Sequence, residues 1–384
     1  MKKQTRTRVI GSISIIAIIA LLIWVGWYFS NITIYIIISL IVTLLATPLK
    51  ELLMKIKISK TRHIGNHIAS ALSLILVICI FVGLMVIIAP TIVRQVNTVM
   101  NIDSQSFSTS FYSQLENVDN FLRDNNVIKE DESLEGIATN YIIEHTKQLN
   151  ISSIFGNFVQ MTGEIFLGIF SVLFISFFFL KDIPKVKDTI VNMVPDQLQD
   201  ETSHVLLRSK DLLSNYFVGL FTEIVVVILF EFTILSILKI SNALLIAVIG
   251  GVLVIIPYLG SIVACVIGCI LAIMGAYISH GDILIVNILI KVISTFIVCR
   301  LLDNFFLQPY IASKSVKAHP LEIFLVVLVS GTIAGIPGMM LGIPAYTILR
   351  IIAQEFFGNN NFVKTLTKNL REEPVLTDNN ELKD

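Results

Sequence analysis

The sequence predicts an all-α polytopic membrane protein with about six transmembrane helices, two re-entrant helical hairpins and an extracytoplasmic helical insertion. Three observations predict it. The 384 residues are 55% hydrophobic and 15% charged, with a mean hydropathy of +0.82, which is more apolar surface than a soluble domain can bury. Six apolar runs have the ~20 residues that a bilayer crossing needs. Two further runs are too long for one crossing and are interrupted by glycine and proline. The net charge of zero gives no sign of a nucleic-acid partner.

The first apolar run, VIGSISIIAIIALLIWVGWYF after MKKQTRTR, has the length of a full span, and no A-x-A cleavage site follows it. It reads as a retained helix and not as a signal peptide. Full crossings are expected at 9–29, 32–49, 66–90, 157–180, 215–238 and 283–302. Basic residues orient them. Lys2, Lys3, Arg6 and Arg8 precede the first span, Lys50, Lys55, Lys57, Lys60 and Arg62 follow the second, and Lys181, Lys185, Lys187, Arg208 and Lys210 follow the fourth. With these on the cytoplasmic side the first five crossings alternate without conflict. The acid-rich stretch from about 94 to 155 then lies outside, patterned as amphipathic surface helices.

The long runs, 241–279 and 320–352, would reach about 58 and 50 Å as single helices, against a ~30 Å hydrocarbon core. A reversal at IIPYLG (Ile255–Gly260) and another at GIPG (Gly335–Gly338) shorten both, and they place Lys314 and Lys317 in the cytoplasm. Proline removes an intrahelical hydrogen bond and glycine tolerates the dihedrals of a turn. Free backbone groups at that depth must be buried in protein or face a watery cavity. Two kinked helices packed through Gly331/Gly335 and Gly338/Gly342, which have GxxxG spacing, are the competing reading.

Ionisable groups inside spans are costly and mark function or pairing. Glu223 and Glu231 lie in the fifth span, about 80° apart around a helix and about 12 Å along it, so both can face one cavity. Lys291, in the middle of VNILIKVISTF, is the candidate partner of Glu231, and Arg300, Asp303 and Asn304 close the same helix. Asn304 suits a hydrogen bond to a polar cargo or a neighbouring helix. Desolvation favours the protonated form of a carboxyl group, so such acids can exchange a proton for a cation. A structural Glu231–Lys291 pair that locks two helices is the alternative. The tips expected to line a path are Pro257, Tyr258 and Gly260 in one hairpin and Gly335, Pro337 and Gly338 in the other.

His63 and His67 share a helix face but sit beside Arg62, as headgroup neighbours do. The cysteines (Cys79, Cys265, Cys269, Cys299) read as small buried residues. No metal site, cofactor or catalytic residue is expected: there is no P-loop and no Ser/His/Asp arrangement, so an enzyme is not predicted.

FFFLKDIPKV (Phe177–Val186), NYFVGL (Asn215–Leu220), IIPYLGSIVA (Ile255–Ala264), LLDNFFLQPYIASKSVKAHPLEIF (Leu301–Phe324), PLKELL and the closing glycine–proline run occur in an order that resembles the AI-2E transporter family. Asp303–Asn304 stands where glutamate–asparagine is usual in that family. The resemblance implies export of a small polar solute such as autoinducer-2, with an ion gradient acting through one of the acids. It leaves two alternatives: a Na⁺(Li⁺)/H⁺ antiporter, and a non-transporting scaffold working through its outer segment. On this reading the chain divides into N-terminal transmembrane helices (1–93), an extracytoplasmic segment (94–156), a helix and cytoplasmic loop (157–214), a transport core (215–356) and a polar cytoplasmic tail (357–384). The expected partners are the lipid bilayer, the solute, Na⁺ or H⁺, and further copies of the chain. The expected location is the plasma membrane of a bacterium, with both termini cytoplasmic.

Overall fold

The computed structural model describes residues 24, 26, 28–59, 62–100, 162–257, 259–280, 285–308, 318–358 and 363. The predicted first span, apart from four of its residues, and the segment 101–156 with its expected amphipathic helices lie outside them. The helices are α1 (Ser30–Lys55), α2 (Asn66–Met100), α3 (Thr162–Asn192), α4 (Gln199–Ile237), α5 (Ala243–Leu253), α6 (Leu259–His280), α7 (Ile285–Leu302) and α8 (Pro320–Phe357). A two-stranded ribbon, β1 (Lys57–Ser59) and β2 (Arg62–His63), links α1 to α2. Among the described residues seven helices are long and apolar enough to cross a membrane. Polarity is arranged inside out. Ile290 and Ile333 are 60% and 79% exposed, while Ser39, Thr43, Ser176, Glu223, Glu231, Asp303 and Thr295 are buried. An apolar solvent accounts for that inversion, and the chain is a polytopic all-α membrane protein.

The described chain forms two units. The first contains residues 1–78 and 153–188. There α1 and α3 meet through small and hydroxyl side chains, as helices in lipid do. Ser39 Oγ donates to Val172 O at 3.1 Å and Ser176 Oγ donates to Ser39 O at 3.2 Å, while Ala46, Val77 and Leu180 form the core. Lys50, expected as a solvated basic flank, is instead 7% exposed, and its Nζ donates to Leu180 O at 2.6 Å. The cause is Pro184, which has no N–H for the carbonyl four residues earlier. The helix bends just above it, at Asp182 (φ −110°, ψ 22°). The next carbonyl, Lys181 O, accepts from Asn66 Nδ2 at 3.0 Å. Side chains from α1 and α2 thus satisfy two carbonyls at the kink of α3.

This arrangement predicts a specific coupling. Lys50→Met leaves the Leu180 carbonyl short of its donor and is expected to destabilise the unit by about 1–3 kcal/mol. In a Pro184→Ala background the helix supplies its own N–H, so the same change is expected to cost well under half as much. A double-mutant cycle on thermal unfolding in detergent reads the difference, and equal costs in both backgrounds would refute the capping role.

The second unit contains residues 79–152 and 189–384. Helix α4 has 39 residues, about 58 Å at 1.5 Å per residue, so it outruns the bilayer. Its polar first turns, expected as loop, are helical and pack with Val205 and Leu212 against Ile351 of α8. From the other end of α4 the chain turns through Lys239 and Asn242, both at positive φ (55° and 63°). It then enters α5, whose 11 residues cover only about 16 Å. The chain reverses at Val254–Pro257, and α6 runs back along α5: Gly260 abuts Leu253 O, Gly268 abuts Ile246, and Asn242 Nδ2 donates to Leu271 O at 3.4 Å. The predicted turn at IIPYLG is therefore present, beginning one residue earlier, with Tyr258 outside the described residues. Leu235, Ile246, Ala264, Val292 and Phe296 form the core that ties α4 to α7 together.

Helix α8 spans 38 residues, but non-helical backbone at its centre divides it into two arms. Tyr346 OH donates to Glu322 Oε2 at 2.9 Å, whereas a straight helix would hold these residues about 36 Å apart. Val327 meets Ile343, Gly342 meets Ser330 and Gly331 meets Met339. The reversal falls at Ala334 (φ −136°, ψ 19°) and Gly335 (φ 61°, ψ −142°). Only glycine readily adopts the second pair of angles. The turn lies at the front edge of the predicted GIPG, and Pro337 sits in the first turn of the returning arm, where its missing N–H costs nothing. The glycines at GxxxG spacing serve packing within the hairpin, so the kinked-helix reading is not what the structure adopts.

Candidate functional site

Three acids converge in the second unit. Glu223 and Glu231, on one side of α4, are buried, the latter to 3% exposure. Asp303, 2% exposed, opens a π-helical turn (Asp303–Leu307) at the end of α7. Residues five apart stack in such a turn. Gln308 Nε2 accordingly donates to Asp303 Oδ2 at 3.1 Å, and Arg300 Nη1 donates to the same oxygen at 2.7 Å. The carboxyl of Glu223 lies against that of Asp303. Facing Glu231 from α5 is Gly250, where a Cβ would run into the carboxyl group.

Between these elements is a cavity of ≈ 10 Å³ lined by Glu231, Asp303, Arg300, Gly250, Ser261 and Cys299, among others. That is about the space of one water molecule. Glu231 Oε2 and Asp303 Oδ1, both buried, have no hydrogen-bond partner. A second, apolar cavity of ≈ 140 Å³ lies beside it, sharing Val227 and Cys299.

The structure brings Glu223, Glu231 and Asp303 together, and it separates Lys291 from them. Lys291 Nζ donates to Leu238 O at 3.4 Å, at the C-terminal cap of α4. Glu231 lies two turns back along that helix, about 10 Å away, so the expected Glu231–Lys291 pair is not formed. Asn304, next to Asp303, is exposed and does not line the cavity. The first hairpin reaches the cavity through Val254 and Ser261, which flank its turn. Pro257 is half-buried and Gly260 buried beside them. The second hairpin packs on α4, with Arg208 Nη1 donating to Gln354 Oε1 at 3.2 Å and Tyr216 against Val327 and Ile343. Its Gly335 and Pro337 are exposed and its Gly338 is buried within the hairpin. None of the three lines the cavity.

Gly250, Ser261 and Gln308 were not expected to take part. Ser261 directly follows the PYLG turn and Gln308 stands five residues after Asp303, a spacing that carries meaning only once a π turn is known. Gly250 has no local signal, because its role is to let α5 pass Glu231.

The family profile described as “AI-2E family transporter” matches residues 13–358. Curated relatives include presumed transport proteins. MJ1177 of Methanocaldococcus jannaschii is 23% identical over 336 residues, covering 85% of this chain and 90% of the relative. YueF of Bacillus subtilis is 25% identical over 304 residues, 75% of this chain and 77% of the relative. YrrI of Bacillus subtilis is 28% identical over 193 residues, so the match spans about half of that protein (52%) and half of this chain (50%).

Proposed function

Because the chain belongs to the AI-2E transporter family, we propose that it is a secondary transporter exporting a small polar solute, with an ion gradient acting through Glu231 and Asp303. The observation that carries this reading is the charge balance of the buried site. Glu223, Glu231 and Asp303 face one guanidinium, Arg300. Fully ionised, that cluster would hold two uncompensated negative charges in an apolar surrounding, which is unfavourable by several kcal/mol. Taking up positive charge relieves it. A site with that property, beside the turn of a helical hairpin, has the ingredients of gradient coupling: occupancy changes the charge, and the charge biases where the hairpin sits. The two arms of α8 support the same reading. Fifteen residues precede Gly335 from Pro320, about 22 Å of helix, too short to cross the ~30 Å core. The plasma membrane with both termini in the cytoplasm is the setting this proposal requires.

The test is flux through the purified protein in liposomes that contain a pH-sensitive dye. Labelled sugar-like solutes are offered under an imposed proton or sodium gradient. The wild type is expected to move at least one of them, and Glu231→Gln to lower gradient-driven flux by a factor of about ten or more while leaving the protein folded. Gradient-driven flux unchanged in the variant refutes coupling at this site. A sodium-driven pH change without solute movement would make cation–proton exchange the activity.

A further inference from the structure

We infer that the kink of α3 and the β1–β2 ribbon together form a binding site for the headgroup of an anionic phospholipid. The inference concerns the first unit alone and does not rest on transport.

The topology brings the parts together. The kink accepts hydrogen bonds from both sides of the ribbon. Lys50 Nζ, ahead of it on α1, donates to Leu180 O, and Asn66 Nδ2, behind it at the start of α2, donates to Lys181 O. The ribbon pairs Lys57 with His63 and Ser59 with Arg62. Its basic residues are thus held at the same end of the unit as Lys181, Lys185 and Lys187. Among the described residues of 50–63 and 181–188, seven are basic and three acidic. Asp182, the acid at the kink itself, faces two cations, Lys185 Nζ at 3.2 Å and Lys181 Nζ at 3.9 Å. One carboxylate between two ammonium groups leaves positive charge over.

Depth and surroundings favour a lipid over a dissolved anion. From Thr162 to Leu180, α3 rises about 28 Å, close to the ~30 Å hydrocarbon core, so the kink falls at headgroup level. Exposed apolar side chains accompany the basic ones: Met54 and Ile56 flank Lys55, and Val186 separates Lys185 from Lys187. Lys181 Nζ stands 5.5 Å from the centre of the exposed Phe178 ring. Basic groups set between apolar ones meet a headgroup and its chains together, whereas a dissolved phosphate uses only the charge. Basic pockets between transmembrane helices recognise anionic headgroups in this way.

The experiment uses the full chain in a neutral detergent. Thermal unfolding is followed while phosphatidylglycerol, or phosphatidylcholine with the same acyl chains, is added. A ligand that binds only the folded state raises the midpoint in a saturable way. A rise of several degrees is expected with phosphatidylglycerol and none with phosphatidylcholine. Lys57→Gln combined with Arg62→Gln is expected to raise the half-saturating concentration about tenfold. Pro184→Ala changes no charge but lets the helix answer Leu180 O itself, and it is expected to weaken binding about as much. Lys364→Gln with Lys368→Gln, in the tail, is expected to leave binding unchanged. Lys185→Gln, at a position 79% exposed, is expected to raise half-saturation about threefold, and it replaces the ribbon variant if that does not fold. An equal rise with phosphatidylcholine, or the same rise with inorganic phosphate at equal concentration, overturns the lipid site. So does unchanged half-saturation in the ribbon variant or in Pro184→Ala, or equal weakening by the tail variant.

Discussion

Gly338→Ala is expected to open the second hairpin and lower stability by about 3 kcal/mol or more. A methyl group at this position runs into the carbonyl oxygen of Ser330 on the opposite arm. That oxygen belongs to the backbone, so no rotamer change relieves the overlap and the arms must separate. Separation removes the Val327–Ile343 contact and the Tyr346–Glu322 hydrogen bond together. Gly260→Ala is expected to act in the same way on the first hairpin, where the added methyl meets Leu253 O. Gly335→Ala provides the contrast. Its Cβ would stand in open space, and only the φ of +61° opposes it, a strain of about 1–3 kcal/mol. Thermal unfolding in detergent should rank Gly338→Ala well below Gly335→Ala. The reverse order would mean that backbone strain and not arm contact governs the hairpin.

Arg300→Leu is expected to be the most damaging change at the site, at about 3–5 kcal/mol, the usual consequence of removing one member of a buried ion pair. It leaves Asp303, 2% exposed, without its 2.7 Å partner and beside Glu223. Adding Asp303→Asn removes the stranded charge, so the double variant is expected to recover more than half of the loss. If Arg300→Leu unfolds at the wild-type temperature, or if the second change gives no recovery, Arg300 is not the charge that holds this cluster. Neither substitution changes residues of the first unit, so the Lys50–Leu180 capping and its coupling to Pro184 should persist in both variants.

How much of this could be read in advance differs by residue. The two reversals follow from counting, because runs of that length cannot cross once, and glycine and proline mark where they turn. The apex at Ala334–Gly335 came at the leading edge of the motif because the left-handed dihedral goes to the first glycine. Proline, with φ near −65°, can only begin the returning arm. Glu223, Glu231 and Asp303 stood out as acids in apolar runs, a statement about transfer cost that needs no fold. Their partners did not stand out. Lys291 was equally plausible as a mate for Glu231 until α7 placed it one end of α4 away, on Leu238 O. Lys50 looked like any basic flank until the kink at Pro184 drew it inside.

By itself, then, the sequence determined the solvent of this protein, the places where the chain must reverse and the acids that cannot be there by default. These depend on composition, rise per residue and local dihedral preference, all of which act along the chain. Only the tertiary structure decided which acid meets which base, that Gly250 makes room for Glu231, and that Glu231 and Asp303 enclose a space the size of one water. Those facts depend on how helices far apart in sequence are rotated against each other. At 100° per residue, a helix turned by one position presents a different side chain to the site.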